Sequence, residues 1–312
     1  MISTESSLFC DRFSSYRYVK TARNYPFKTA FVVNAVLNVP FCFNAILTKA
    51  LGILSIWPSH TLRKAPTNLL LIGLALSDLG VGLIVQPFFI AFLLSFAETG
   101  AGTFTCLTSV AVSVFGSVLT SVSFGTVVSV SIERYIALCL HLRYEDVVTV
   151  KRARNFLITL WLIGGTLPFI WVWLTPKYRS HFFSTRILLC LVISSVAYIK
   201  IYRIIRYHRR QIISTEMNAR NHEKMTQRKR NTFNMLVVHC VLVLCYLPYS
   251  ICLLVVKSYD YTNCRWIGIN FALTVVNINS SVNPFIYCYR MRQIRRAMIT
   301  TLYKIPLQIS KR

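Results

Sequence analysis

The sequence predicts an all-α membrane protein, a bundle of seven transmembrane helices followed by a short amphipathic helix on the cytoplasmic surface. First, 54% of the residues are hydrophobic and only 14% are charged, which is less charge than the surface of a soluble domain requires. Second, apolar runs of about 20 residues, the length that crosses a bilayer, recur along the chain. Third, the basic residues lie in short blocks between these runs.

Seven apolar runs define the predicted spans. The fifth is the weakest, because its uncharged part, from Ile187 to Ile199, is short. We expect a span there if Arg186, at its start, extends its side chain to the membrane interface. Residues 1–27 form the predicted outer arm, and residues 291–312 the amphipathic helix and tail. Within residues 28–290 the predicted spans are about 29–57, 67–95, 103–138, 155–174, 182–205, 231–256 and 266–289.

The distribution of basic residues decides the expected partners and the orientation. A formal net charge of +25 would suggest nucleic-acid binding in a soluble protein. Here the basic blocks lie between apolar runs, so membrane lipids are the expected partners and nucleic acid is not. The densest block, from Lys200 to Arg230, and the tail after Arg290 lie on one side. The positive-inside rule puts this side, with the C-terminus, in the cytoplasm and the N-terminus outside, although the basic arm opposes it somewhat.

Most of the ten cysteines lie within apolar runs, where packed thiols are usual. Cys10, Cys106 and Cys264 are placed outside the membrane and are the candidates for disulfide bonding. No CxxC pair and no Cys/His spacing indicates a metal site. No nucleophile–base pair and no phosphate-binding loop is present in the sequence, so we expect neither an enzyme nor a cofactor.

Short motifs in successive spans carry a family resemblance. The second span contains the segment Leu74 to Asp78, and Trp161 in the fourth stands where the family usually has a single tryptophan. In this order the motifs resemble those of rhodopsin-like G-protein-coupled receptors, over about residues 28–303. The remaining motifs are Glu133-Arg134-Tyr135 at the end of the third span, Cys245-Tyr246-Leu247-Pro248 in the sixth, and Asn283-Pro284-Phe285-Ile286-Tyr287 in the seventh.

The resemblance implies a plasma-membrane receptor that binds an extracellular ligand and activates a heterotrimeric G protein. Glu133 would hold Arg134 at rest, and the released arginine would contact the G protein. Tyr198 and Tyr287 resemble the tyrosine pair that meets near this arginine in active receptors. Prolines remove a backbone hydrogen bond and bend helices, which gives a switch its hinges. The hinge and toggle positions are Tyr246, Pro248 and Pro284.

A carboxylate at the middle of a membrane span is a functional candidate by default. In the family the residue corresponding to Asp78 coordinates sodium with polar neighbours, which here would be Ser123, Asn279, Ser280 and Asn283. Lys49 in the first span replaces an asparagine of the family, and its position faces the aspartate. Because lone charges in hydrocarbon are costly, the sequence predicts a direct ion pair between Lys49 and Asp78.

The ligand class does not follow from the sequence. A short second extracellular loop and a fifth span without proline resemble the melanocortin, lysophospholipid, cannabinoid and adenosine receptors. The acidic pocket of the melanocortin branch is replaced by Phe88, Ser109 and Ser113. The second loop also has no cysteine, so Cys10 could pair with Cys264, with Cys106 as the competing partner. The candidate pocket residues are Gly116, Thr120, Tyr249 and Asn277.

Two alternatives stay open. A silent or degenerate receptor paralogue is the first, because Lys49, the missing loop cysteine and the weak fifth span all depart from the family pattern. A transporter or channel is the second, and it would predict broken helices in pairs or an internal repeat, which the sequence lacks. An amine receptor and an opsin are disfavoured, because Gly116 and Asn277 stand where those families have an aspartate and a lysine.

Overall fold

The computed structural model describes residues 25–57, 65–100, 102–139, 144–173, 176–212, 236–237, 239–254, 263–290 and 299–300. All regular structure within these ranges is helical, and the chain folds as a seven-transmembrane bundle. The predicted outer arm before residue 25 and most of the predicted amphipathic helix after residue 290 lie outside the described residues. The long helices are α1 (Tyr25–Ile56), α2 (Pro66–Thr99), α3 (Thr103–Cys139), α4 (Val150–Trp173), α5 (Pro176–Ile212), α6 (His239–Leu254) and α7 (Asn263–Arg290).

Helix α5 extends beyond the span predicted for residues 182–205. It begins at Pro176, where a proline is favourable because the first helical N–H needs no partner. It continues to Ile212 through a basic stretch that is too polar for hydrocarbon. Arginine and lysine are good helix formers, so the helix persists where the apolar pattern ends. Hydropathy therefore predicts the membrane-spanning part of α5 and not the whole helix.

Helix α2 contains a π-helical segment, Val81–Val85, followed directly by Gln86 and Pro87. Proline has no N–H and its ring clashes with the preceding turn of an α-helix, so the wider turn accommodates it. In the π register the missing N–H of Pro87 would have bonded to the carbonyl of Gly82. The thiol of Cys42 on α1 donates a hydrogen bond to that carbonyl instead, at 3.2 Å.

Glycines let α4 approach its neighbours closely. A Cβ atom added to Gly73 on α2 would lie 2.5 Å from a methyl group of Leu157, and one added to Gly125 on α3 would lie 2.6 Å from a methyl group of Leu160. Small residues at such crossings are typical of helix packing in membranes, where contact area replaces the hydrophobic driving force. These two contacts fix the height of α4 against α2 and α3.

We call the end of the bundle at Cys139 of α3 the inner end and the end at Thr103 the outer end. Three buried clusters follow the bundle from the inner to the outer end. The inner cluster contains Leu70, Val130 and Tyr198, and the middle one contains Phe124 and Tyr246. The outer cluster is aromatic, and Phe96 packs its ring edge-on against Trp266 at 6.4 Å between centroids. Polar side chains occupy the spaces between the clusters, and they form the candidate functional sites.

Candidate functional site

A buried ion pair lies at the centre of the bundle. The ammonium of Lys49 on α1 contacts Oδ2 of Asp78 on α2, and the two residues are 2% and 1% exposed. The hydroxyl of Ser280 on α7 donates to the other carboxylate oxygen at 3.3 Å. The ion pair predicted from the sequence is therefore confirmed, and one carboxylate connects three helices.

Two other side chains that the sequence predicts around Asp78 make no described hydrogen bond to its carboxylate. Ser123 and Asn279 are both buried, and the Oδ1 atom of Asn279 has no hydrogen-bond partner. No described hydrogen bond joins either residue to Asp78, so Ser280 is the predicted neighbour that contacts the carboxylate. The side chain of Asn283 lies outside the described part of α7.

The arginine of the triplet is buried in a network at the inner end of α3. Arg134 Nε lies 3.1 Å from Oε2 of Glu133, and its Nη2 donates to Thr67 Oγ1 at 2.5 Å. The Thr67 hydroxyl donates in turn to Oε1 of Glu133 at 2.9 Å. The phenol of Tyr144, in the one-turn helix Tyr144–Val147, donates to the same Oε1. We refer to Thr67, Glu133, Arg134 and Tyr144 as the inner network.

Tyr144 lies in the connection between α3 and α4, outside the membrane-spanning helices. Burial, reinforced by the neighbouring Glu133 carboxylate, raises the pKa of Tyr144. The phenol therefore stays protonated at physiological pH and remains a donor to Glu133. Oε1 of Glu133 thus accepts hydrogen bonds from two neutral donors, and Oε2 lies beside the guanidinium, which is a favourable arrangement for a buried carboxylate.

The predicted tyrosines of the switch have separate surroundings. Tyr198 is buried and stacks on the ring of His239 at 4.8 Å between centroids. Nε2 of His239 lies 3.0 Å from the hydroxyl oxygen of Ser195, so these contacts join α5 to α6. Tyr135 is partly buried and packs against the inner cluster. The side chains of Pro284 and Tyr287 lie outside those described.

The toggle position contains a tyrosine edge-on to a phenylalanine. Tyr246 on α6 is 5% exposed, and its ring centroid lies 4.5 Å from that of Phe124 on α3. Pro248 lies one half-turn further along α6, on an exposed part of the helix. A movement of α6 at this proline would therefore displace the Tyr246 ring from Phe124.

A cavity of about 110 Å³ opens in the outer half of the bundle, between α2, α3, α6 and α7. Of the four predicted pocket residues, Tyr249 lines it, whereas Gly116, Thr120 and Asn277 do not. Asn277 is buried, and its backbone carbonyl accepts a hydrogen bond from Gln86 Nε2 at 3.3 Å. The wall combines aromatic rings with a few neutral polar groups: Phe89, Phe92, Ser109, Ser113, Trp266 and Asn270.

The residue Phe88, predicted at a pocket position, points elsewhere. Its side chain is exposed on the outside of the bundle and stacks on Phe115 at 6.5 Å between centroids. The next residue, Phe89, is buried and lines the cavity. The two neighbouring phenylalanines therefore face in different directions.

One predicted disulfide candidate is bonded. Cys106, near the start of α3, is in a disulfide. Its partner, the whole of Cys10 and the side chain of Cys264 lie outside what the structure describes. Six cysteines that the sequence places in or beside the spans are free thiols: Cys42, Cys139, Cys190, Cys240, Cys245 and Cys252.

Sequence reasoning missed three functional candidates. Thr67 and Tyr144 complete the inner network, and only the position of Tyr144 shortly after the triplet could have indicated it. Arg186 was expected to reach the membrane interface, but its guanidinium turns inward and donates from Nη1 to the Ser121 hydroxyl on α3. The serine is an acceptor within reach, and the apolar pattern of α5 does not show which way a single arginine turns.

Known proteins share this sequence pattern. The profile of the family described as 7 transmembrane receptor (rhodopsin family) matches residues 50–182. Human adenosine receptor A2b is 28% identical over 289 residues, which cover 81% of this chain and 82% of the relative. Chicken adenosine receptor A2b is 27% identical and covers 84% and 86% of the two chains. Human adenosine receptor A2a is 25% identical and covers 81% and 68%.

Proposed function

Because the chain belongs to the rhodopsin-like G-protein-coupled receptors of the cell surface, we propose that the inner network is its signalling switch. Arg134 is held at rest by Glu133 and Thr67, and Tyr144 holds Glu133. The observation that carries the proposal is this buried cation, which is paired with Glu133 and donates to Thr67 at the inner end of α3. In the active state the released guanidinium contacts the heterotrimeric G protein on the cytoplasmic side.

The switch works through competition for one guanidinium. Charged groups out of water need partners at all times, so Arg134 leaves Glu133 only when another acceptor replaces it. Backbone carbonyls at the end of a G-protein helix are suitable acceptors for an arginine, because they are strong and numerous. Tyr198, which stacks on His239 between α5 and α6, would turn toward the arginine with Tyr287 when α6 moves.

The second part of the proposal concerns the buried ion pair of Lys49 and Asp78. In related receptors a sodium ion neutralises the aspartate that corresponds to Asp78. Here the Lys49 ammonium contacts that carboxylate, and Ser280 occupies its second oxygen. We infer that Lys49 is a built-in replacement for sodium, with Asn279 and Ser123 as neighbouring polar groups. This receptor then lacks the sodium brake that would otherwise favour the resting state.

The ligand enters from the outer end, where the cavity beside Tyr249 lies. With the N-terminus outside and the C-terminus in the cytoplasm, this cavity faces the cell exterior. The wall offers aromatic surface and neutral hydrogen-bonding groups, as small-molecule sites commonly do. Adenosine is the first compound to test, because the similar receptors are named for it.

The experiment is a panel of G-protein activation assays on the full chain in transfected cells. Nucleotide exchange is measured without ligand, and then with nucleoside, lipid and peptide libraries. Activation of one G-protein class that disappears with Arg134→Ala supports the proposal. A receptor that reaches the surface and activates no class under any condition would instead support the alternative of a silent paralogue.

A further inference from the structure

Arg186 places a positive charge within the membrane-spanning part of the bundle. Its guanidinium donates to the hydroxyl of Ser121, and Ser121 lies midway between Thr103 and Cys139, the two ends of α3. At 1.5 Å per residue this is roughly 27 Å from either end of the helix. The guanidinium also lies 5.0 Å from the centroid of the Phe183 ring. The charge is therefore inside the bundle and not at the interface.

This cation has no carboxylate partner among the described residues. The two buried carboxylates among the described residues, Asp78 and Glu133, are paired with Lys49 and Arg134, and Glu98 is exposed at the end of α2. The Nη2 atom of Arg186 is buried and makes no hydrogen bond. Unlike a lysine, an arginine cannot lose its proton to escape the cost of burial. An uncompensated cation at this depth is a functional candidate by default.

Arg186 is separated from the cavity by one aromatic ring. Phe183 contacts the guanidinium, and its ring packs edge-on against Tyr249 at 6.5 Å between centroids. Tyr249 in turn lines the cavity, and none of the described lining residues is acidic. A rotation of Phe183 would connect the cavity to the two Nη atoms of Arg186. The wall also offers neutral donors in Ser109, Ser113 and Asn270.

We propose that Arg186 is the anion-binding residue of the ligand pocket, and that the ligand carries a carboxylate or phosphate group. A planar guanidinium binds either group through two parallel hydrogen bonds. Nη2 makes no hydrogen bond and is available for this contact. Nη1 can replace its hydrogen bond to Ser121 by a hydrogen bond to the ligand. The proposal rests on the receptor function proposed above, and it narrows the ligand to a small organic anion.

The test measures the thermal unfolding midpoint, Tm, of the purified full-length receptor in nanodiscs of zwitterionic lipid. Each anionic probe is compared with its neutral analogue: octanoate with octanamide, octyl phosphate with octanol, and AMP with adenosine. The alkyl probes and the nucleotide distinguish a lipid-like ligand from a soluble one. We expect at least one anion to raise the Tm of the wild type above the value with its neutral analogue.

The variants assign that shift to Arg186. Arg186→Gln should abolish it and Arg186→Lys should reduce it, because lysine keeps the charge but loses the paired donors. Arg203→Gln, which changes an exposed arginine of the same helix, should retain it. The proposal is overturned if no anion stabilises the wild type more than its neutral analogue, or if both Arg186 variants keep the full shift. Nucleotide exchange is not measured, so a failure of G-protein coupling does not affect the result.

Discussion

Lys49 and Asp78 form an ion pair in the centre of the bundle, and it joins α1 to α2 almost without exposure to solvent. The carboxylate has a second polar contact with Ser280 on α7. A buried ion pair adds less net stability than its short contact suggests, because both ions lost their hydration. The cost of breaking one is larger, since the ion left behind has neither water nor partner.

Replacing the lysine should create sodium sensitivity. Lys49→Asn leaves Asp78 with an uncompensated charge beside Ser280, which a cation from solution can neutralise. A ligand that binds only the folded state raises its stability, so the Tm of this variant should be higher in NaCl than in choline chloride of equal ionic strength. The wild type should show no difference, and Lys49→Asn combined with Asp78→Asn should also show none. A wild type that sodium stabilises as strongly as it stabilises Lys49→Asn would contradict the prediction.

Neutralising the aspartate alone should destabilise the receptor. Asp78→Asn leaves the Lys49 ammonium buried without a counter-ion, at a cost of about 3–5 kcal/mol. Combining it with Lys49→Met removes both charges and should recover most of the loss. The measurement is the Tm of the purified protein for both single variants and the double variant, analysed as a double-mutant cycle. If the effects of the two substitutions on stability are additive, the two side chains have no coupling energy and the prediction is wrong.

Arg134 should be needed for signalling and not for reaching the surface. Arg134→Ala removes the group that is proposed to contact the G protein, so nucleotide exchange should be lost. Arg154→Ala serves as a control, because Arg154 is an exposed arginine near the same membrane face. Surface expression is measured by antibody labelling of intact cells, and exchange is compared at equal surface levels. Unchanged exchange in Arg134→Ala would disprove the assigned role.

Loosening the inner network should raise the activity without ligand. Tyr144→Phe removes one donor from the buried Glu133 carboxylate, and a hydrogen bond to a charged group contributes about 1.5–3 kcal/mol. If the bond exists only at rest, this shifts the equilibrium toward the active state by about tenfold or more. Basal nucleotide exchange should increase accordingly, whereas Tyr202→Phe, at an exposed tyrosine of α5, should leave it unchanged. A fall in basal exchange would show that Tyr144 supports the active state instead.

The ion pair of Lys49 and Asp78 could be predicted because the sequence itself shows both charges inside apolar spans. Lys49 and Asp78 are charges in the interiors of neighbouring apolar spans, and hydrocarbon offers neither of them another partner. The same reasoning accounts for Glu133 and Arg134, which are adjacent in the chain. In each pair an isolated charge would cost so much free energy that few arrangements other than the ion pair are possible.

The partners of these charges depend on helix packing, which a single sequence does not contain. Thr67 reaches Glu133 across 66 positions of the chain, and this contact requires the height of α2 against α3. Arg186 shows the same limitation, because α5 is apolar on most of its circumference and periodicity does not identify its inner face. The wall of this cavity depends on helix packing as well, since Tyr249 lines it and the other candidate pocket residues, Gly116, Thr120 and Asn277, do not.

The π-helical segment of α2 changes which residues of this helix face the cavity. One additional residue in the turn rotates everything beyond Val85 by about 100° relative to a regular helix counted from Asp78. Counting along a regular helix assigns Phe88 to the pocket, yet Phe89 and Phe92 line it. An assignment of cavity residues from a regular helix would therefore select the neighbouring residue. Mutagenesis based on such an assignment would test the exposed Phe88 in place of a side chain in the cavity wall.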